Sequence, residues 1–230
     1  MARGDRTRIG ELAGALGTAA GTLGKIALDV KLHSQTEVGE LAEGKAGGSS
    51  AMPHKQNPVS STLITASVER VPALVGTLLA AMPQEHERAA GAWQAEWEPL
   101  TELLRLVATA TARTRTLLAG LQVSPDRMRA NLDLTRGLVM AESASACLMH
   151  ALGRTGAQDL VARLCAQAVD NGTTLRAELL SDGTVREVLS EQQIVDATEP
   201  TNHLGSAGAF IDRALAAHAH TTDNAGGRTS

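Results

Sequence analysis

The stretch "IGELAGALGTAAGTLGKIALDV", residues 9–30, decides the fold class. Its apolar and small residues recur at alternating spacings of three and four, which places them along one face of an α-helix. This is the spacing of helices that pack side by side at a shallow angle. We therefore predict a long bundle helix here, with its buried face at Ile9, Leu12, Leu16, Ala19, Leu23, Ile26 and Val30.

Two further stretches, 64–82 and 100–121, repeat this pattern. Their predicted buried faces are Ile64, Val68, Val71, Val75, Leu78 and Met82, and then Leu100, Leu103, Val107, Ala110, Thr114, Leu117 and Leu121. Pro72 removes a helical hydrogen bond and predicts a kink near residues 69–71. Leu63, Leu74 and Leu79 lie off the predicted face, so we expect the bundle to need further packing partners.

After Gly120 the pattern changes to shorter helices separated by glycine and Asn-Gly breaks. We predict helices at about 125–134, 137–153, 156–170, 173–181 and 206–218. No apolar alternation typical of a strand reaches five residues. The predicted fold is therefore all-α: a helical-bundle domain over 1–121, a smaller helical domain over 122–218, and a disordered tail over 219–230.

Composition and charge exclude several classes of function. The chain has 1% aromatic residues and a net charge of −4, so no basic surface is expected for nucleic acid or for an anionic membrane. The N-terminus lacks the apolar core of a signal peptide, which predicts a cytoplasmic protein. Cys147 and Cys165 are then expected to be free thiols, and no motif predicts a metal site.

A loop between the first two predicted helices carries the candidate chemistry: "GKAGGSSAMPHKQNP", residues 44–58. Asn57 is the predicted N-cap of the second helix, with Pro58 at its first turn. The free N–H groups of a helix N-terminus favour an anion, and Lys55 adds a positive charge. Two interpretations remain open on these residues alone: a mobile Gly-Ser connector, or an anion site in which a serine acts as general base.

The stretch "GGSSAMPHKQNP" resembles the signature sequence of the fumarase/aspartase superfamily. A second stretch, "AMPQEHERAAGAWQAEW" at residues 81–97, is similar to the 3-carboxy-cis,cis-muconate cycloisomerase branch. Adenylosuccinate lyases have serines and an arginine for a phosphorylated substrate where this chain has Trp93 and Trp97. The resemblance therefore argues against a nucleotide substrate.

The resemblance implies an enzyme that closes 3-carboxy-cis,cis-muconate, a tricarboxylate, to 4-carboxymuconolactone in protocatechuate degradation, without a cofactor. Ser49 matches the catalytic serine, which would transfer the proton. Lys55 and Asn57 match positions that bind the substrate carboxylate. Ser50 would add a hydrogen bond, and Met52 would shape the loop.

His86 and Arg88 are further candidates for substrate binding, because either could face the site or an adjoining subunit. The alternative is an ordinary salt-bridge cluster at a helix start. Trp93 and Trp97 could line the pocket, or they could be core residues. The chain departs from the branch at Gln56, where arginine is frequent, and at Arg136, where we expect glutamine.

Superfamily members are longer than this chain, and the resemblance implies that their N-terminal domain is missing here. Their sites are built from three subunits of a homotetramer, so we expect the chain to be an oligomer and to be inactive by itself. Two alternatives stay open. One is another lyase of the superfamily, similar to adenylosuccinate or argininosuccinate lyase, and the other is a helical oligomerisation fragment without catalysis.

Overall fold

The protein, seen in a computed structural model that describes residues 4–44, 47–48, 56–86 and 89–226, is built almost entirely from α-helices. The predicted all-α fold is confirmed. The chain divides into two compact units, Met1–Met128 and Arg129–Ser230. The division follows Met128, whereas the sequence analysis places the limit after residue 121.

The first unit is a bundle of long helices. Its helices are α1 (Thr7–His33), α2 (Val59–Val68), α3 (Val71–Ala80), α4 (Ala92–Ala95) and α5 (Trp97–Ala119). The helical path between Val59 and Ala80 is interrupted at Glu69 and Arg70, just before Pro72. The kink predicted from this proline is therefore confirmed.

The buried face of α1 differs from the prediction. Ala13, Ala20 and Ala27 are its buried residues together with Val30, whereas Leu12 is 39% exposed. Alanines at intervals of seven let neighbouring helix backbones approach closely, and Ile9, Leu16 and Leu23 then pack at the sides of the seam. The α5 prediction is confirmed at five positions, which are the buried residues Leu103, Val107, Ala110, Thr114 and Leu117.

Two short antiparallel strand pairs lie at one end of this bundle. Strand β1 (Leu41–Ala42) pairs with β4 (Gln122–Val123). Strand β2 (Gly47–Gly48) pairs with β3 (Gln56–Asn57). Each strand has two residues, which is too short for a period-2 pattern to show in the sequence.

By length and composition alone, the segment Val59–Ala80 is apolar enough to cross a membrane. Core helices of a bundle meet the same criterion, and here α2 and α3 pack against α1 and α5. The charged residues Glu69 and Arg70 stand at the middle of the segment, where it is interrupted.

The second unit packs shorter helices around α7. Its elements are the end of α6 (Pro125–Asp133), a 3-10 turn (Leu138–Met140), α7 (Ala141–Asn171), α8 (Leu175–Ser181), α9 (Gly183–Val188), α10 (Glu191–Ala197), a second 3-10 turn (Pro200–His203) and α11 (Ala207–Gly226). Gly153, at φ 71°, kinks α7 between the two helices predicted there. Helices α9 and α10 are not predicted, because each is shorter than two helical turns of apolar pattern.

The core of this unit lies between α7 and the helices that follow it. Leu148 and Leu164 of α7 pack with Leu175, Leu179 and Ile194 of the following helices.

Helix α11 continues to Gly226, whereas a disordered tail is expected from residue 219 on the sequence alone. The alanine-rich run "RALAAHAH" has high helix propensity, which accounts for the longer helix.

Candidate active site

A buried carboxylate of the chain itself occupies the N-terminal end of α2. Glu43 Oε2 accepts the backbone N–H of Ser60 at 2.9 Å, and Glu43 Oε1 accepts the N–H and the hydroxyl of Ser61, both at 2.8 Å. Burial opposes ionisation of Glu43, which is 6% exposed, but these hydrogen bonds outweigh burial and hold its pKa below the usual range. The first turn of α2 is therefore already bound to an anion.

Asn57 is not the N-cap that the sequence analysis predicts. The N-cap position is Pro58, and no side chain of that residue can accept a hydrogen bond. An ionised carboxylate binds helix N–H groups more strongly than a neutral amide does, so Glu43 takes the place assigned to Asn57. Asn57 instead lies in β3, half-buried, and pairs with Gly47.

The strands β2 and β3 bracket the signature residues. Gly47 pairs with Asn57 and Gly48 with Gln56, so the residues that flank segment 49–55 lie next to each other. The predicted catalytic Ser49 belongs to this segment, as do Ser50, Met52 and Lys55. All four lie outside the described residues, and their roles stay predictions.

A close backbone contact holds the chain just before strand β2. A Cβ on Gly44 would lie well inside van der Waals distance of the Gly120 carbonyl oxygen, so the chain before β2 passes directly over the end of α5. The same end of the bundle holds a side-chain contact, in which His33 Nδ1 is 2.7 Å from Glu40 Oε2. Only glycine fits at position 44 without moving the backbone.

A second buried carboxylate organises the opposite end of the bundle. Glu96 is 1% exposed, and its Oε1 accepts Arg6 Nε at 2.9 Å and Gln84 Nε2 at 3.0 Å. These contacts tie the start of α1 to the segment between α3 and α5. The predicted residues His86, Arg88, Trp93 and Trp97 belong to that segment or to the helices that follow it.

Trp93 and Trp97 contact each other at this end. Their rings meet edge to face, with centroids 5.5 Å apart and an interplanar angle of 88°. They are 46% and 54% exposed, so neither is a core residue within this chain. His86 is exposed too and has a left-handed backbone, with φ 51°. Arg88 lies outside the described residues.

The predicted site residues therefore fall at two ends of the first unit. Asn57 lies beside the C-terminal end of α5 and His86, Trp93 and Trp97 beside its N-terminal end. Helix α5 has 23 residues, which corresponds to about 34 Å at ~1.5 Å per residue. One chain thus does not bring Asn57 together with the tryptophans or with His86.

Residues typical of metal sites do not cluster in the part of the chain that the structure describes. No group of three histidine, cysteine or acidic side chains is close enough there to bind an ion. The residue that sequence reasoning missed is Glu43. Its partners are 17 and 18 residues away, beyond the range of any local capping pattern.

Two family models match the chain. The model described as "Lyase" matches residues 1–73, and the model described as "Adenylosuccinate lyase C-terminus" matches residues 137–214. The first match covers α1 and the signature segment, which is residues 47–58. The second match covers most of the second unit.

Similar proteins of known name include enzymes of two activities. The chain is 49% identical to 3-carboxy-cis,cis-muconate cycloisomerase of Pseudomonas aeruginosa, over 93% of this chain and 47% of the relative. It is 43% identical to nitrosuccinate lyase of Streptomyces davaonensis, over 91% of this chain and 45% of the relative. The chain spans about half the length of these curated relatives.

A solved structure supports the same relationship. The 3-carboxy-cis,cis-muconate lactonizing enzyme of Pseudomonas putida superposes with a TM-score of 0.85 at 42% identity, over 95% of this chain and 48% of that one. Matching helices, the signature segment and this level of identity agree with one another. Over both units the chain therefore resembles part of the lyase and cycloisomerase enzymes of the fumarase/aspartase superfamily.

Proposed function

We propose that this chain contributes the signature segment to a cytoplasmic enzyme that converts 3-carboxy-cis,cis-muconate to 4-carboxymuconolactone. The observation that carries the proposal is the strand pair that brackets Ser49 to Lys55, in a chain 49% identical to a cycloisomerase. The identity extends over both units, so it does not rest on the signature alone.

The reaction is an isomerisation in which one proton is added and none of the substrate's heavy atoms leaves. A substrate carboxylate oxygen bonds to an alkene carbon, the π bond breaks, and the neighbouring carbon takes a proton. Ser49 supplies that proton and regains one from solvent, while Lys55 and Asn57 bind the carboxylate that stabilises the developing negative charge. Ser50 and Met52 complete the loop around the substrate.

Glu43 limits which groups of the chain can bind the substrate carboxylate. The N–H groups of Ser60 and Ser61 already bind the Glu43 carboxylate, so they are not free to bind a second anion. The charge of Lys55 and the amide of Asn57 are then the groups of this segment that recognise the substrate. Substitution of Lys55 is accordingly expected to raise KM.

We further propose that the complete site needs more than one chain. Asn57 and the pair Trp93–Trp97 lie at opposite ends of α5, so the indoles of one subunit line the pocket of another. Exposed leucines on the long helices, such as Leu28, Leu63 and Leu104, support association into a homotetramer. By itself the 230-residue chain is expected to be inactive.

The test is lactone formation followed spectrophotometrically. The purified chain is assayed alone and as part of a complete protein, in which a cycloisomerase relative supplies the half of its length that this chain does not match. We expect turnover of 3-carboxy-cis,cis-muconate in the complete protein only. Rapid turnover by the isolated chain would contradict the proposal that the site needs other segments, and no lactone from the complete protein would contradict the activity.

A second candidate is elimination from a substituted succinate. The 43% identity to a nitrosuccinate lyase favours it, and a serine base with a carboxylate site suits either reaction. The complete protein is therefore also assayed with nitrosuccinate, by formation of fumarate. A ratio of kcat/KM values that favours nitrosuccinate would replace the first proposal.

A non-catalytic helical fragment is distinguished from both enzymes by Ser49→Ala. In the complete protein we expect a large loss of kcat with an unchanged thermal midpoint. A loss of thermal stability alone, with activity retained per folded molecule, would favour the structural role. The oligomeric state is measured in the same samples by analytical ultracentrifugation.

A further inference from the structure

A small cavity in the second unit is lined by three arginines, Arg129, Arg136 and Arg176. Its volume is about 220 Å³, which is smaller than the ~300–1,000 Å³ of pockets for drug-sized ligands. Asp133 also lines it and lies 3.9 Å from Arg129, and Glu199 contacts Arg129 and Arg176. The three arginines therefore exceed these two carboxylates by a single positive charge.

Two of the three arginines are oriented by one carboxylate. Arg129 Nη1 donates to Glu199 Oε1 at 2.8 Å, and Arg176 Nη2 lies 3.7 Å from Glu199 Oε2. The hydrogen bond from Arg129 lowers the pKa of Glu199 to about 2, so Glu199 is ionised at neutral pH. Arg176 Nε also donates to Thr198 Oγ1 at 2.7 Å. This network fixes two guanidinium groups beside the cavity.

The third arginine, Arg136, has no hydrogen bond or ion pair from its side chain within residues 4–44, 47–48, 56–86 and 89–226. Its backbone is held firmly, because its N–H donates to Asp133 O at 2.8 Å and its carbonyl accepts the Leu175 N–H at 3.0 Å. Its φ is +53°, a conformation that is uncommon for a residue with a side chain. Such positions are enriched at ligand sites.

Arg136 also has a structural neighbour. A Cβ on Gly172 would lie 3.1 Å from Arg136 Nη1, and Gly172 is the left-handed cap that ends α7. The guanidinium therefore lies near a helix C-terminus, where the peptide dipole favours a cation. This attraction accounts for the position of the charge, but it uses none of the five N–H donors of the guanidinium.

We propose that this cavity binds a small oxyanion with two or more acceptor oxygens, a carboxylate or a phosphate. Arg136 donates directly to it, and Arg129 and Arg176, which Glu199 holds in place, form part of the cavity wall. A planar guanidinium matches two oxygens of such an anion at once. Arg129 and Arg136 are exposed, so the anion enters from solvent. The site is independent of the lactonisation proposed for the first unit.

Isothermal titration calorimetry on the 230-residue chain at pH 7 and low salt tests this inference, with inorganic phosphate and succinate as separate probes. We expect saturable binding of one anion per chain for at least one probe, weakened by added sodium chloride because the attraction is electrostatic. Arg136→Gln is expected to weaken that binding by about tenfold or more, as for the loss of one charge-assisted contact. The probe that binds more tightly shows whether the site prefers a phosphate or a carboxylate.

Arg154→Gln is the matched control, because Arg154 is an exposed arginine of α7 that does not line the cavity. Circular dichroism establishes that each variant is folded at the titration temperature. Binding that is lost in Arg136→Gln and kept in Arg154→Gln supports the site. Absence of saturable binding for both probes, or equal weakening by both substitutions, overturns it.

Discussion

The Glu43 carboxylate binds Ser61 twice, at 2.8 Å from the backbone N–H and at 2.8 Å from the hydroxyl. This contact joins the chain before the signature segment to the helix that follows it. Together with the Ser60 N–H, it leaves the first turn of α2 capped by an anion from 17 residues away.

Glu43→Gln is expected to destabilise the first unit by about 1–3 kcal/mol, because an amide N–H₂ then faces N–H donors and the buried donors lose an ionised acceptor. Urea unfolding followed by tryptophan fluorescence measures this selectively, since both tryptophans belong to that unit. Glu37→Gln, at an exposed glutamate of the same unit, is the control. An equal effect of both substitutions would contradict the capping role.

The contact between Glu43 and the first turn of α2 is expected to depend on pH, because the pKa of Glu43 is lowered in the folded state. Hydrogen bonds hold the folded-state pKa of Glu43 below its ordinary value of 4.5, so its contribution is complete above pH 4.5 and is lost as pH falls through the folded value. The stability difference between wild type and Glu43→Gln should therefore shrink below about pH 4.5. Unfolding free energies measured between pH 7 and 3 check this, and a constant difference would refute it.

Gly44→Ala is expected to destabilise the first unit by about 1–3 kcal/mol, because the new Cβ would overlap the Gly120 carbonyl and force the backbones apart. Gly14→Ala is the matched comparison. Among the described residues, and apart from the neighbouring backbone of α1 itself, no atom lies within 4 Å of a Cβ at Gly14. Alanine inside a helix is favoured over glycine by about 0.5–1 kcal/mol. In urea unfolding we expect the two substitutions to change the free energy of unfolding in opposite directions. Changes in the same direction would refute the packing argument.

Thr114→Val is expected to stabilise the first unit by about 1 kcal/mol. Thr114 is buried, and its hydroxyl has no hydrogen-bond partner within the described part of the chain, so a methyl group removes an unsatisfied polar atom. Thr111→Val is the control on the same helix, because the Thr111 hydroxyl donates to Val107 O at 2.8 Å. Loss of stability in Thr114→Val would show that this hydroxyl is satisfied in solution.

Much of the fold is predictable from local pattern. The spacing of apolar residues predicts α1 and α5, and Pro72 predicts the interruption between α2 and α3, because both effects act within one or two helical turns. The buried alanines of α1 are harder to predict. A leucine has the stronger hydrophobic signal, but the position nearest to a neighbouring backbone has room only for a small side chain.

The amino-acid sequence by itself determined that the chain is helical and that it resembles the fumarase/aspartase superfamily, and it predicts that Ser49, Lys55 and Asn57 carry the chemistry. Only the tertiary structure decided that Glu43 caps α2 and that Asn57 and the pair Trp93–Trp97 lie at opposite ends of α5. The physical reason is the distance along the chain over which each effect acts. Helix periodicity and a short motif are local, whereas the cap and the separation depend on which residues the folded bundle brings together.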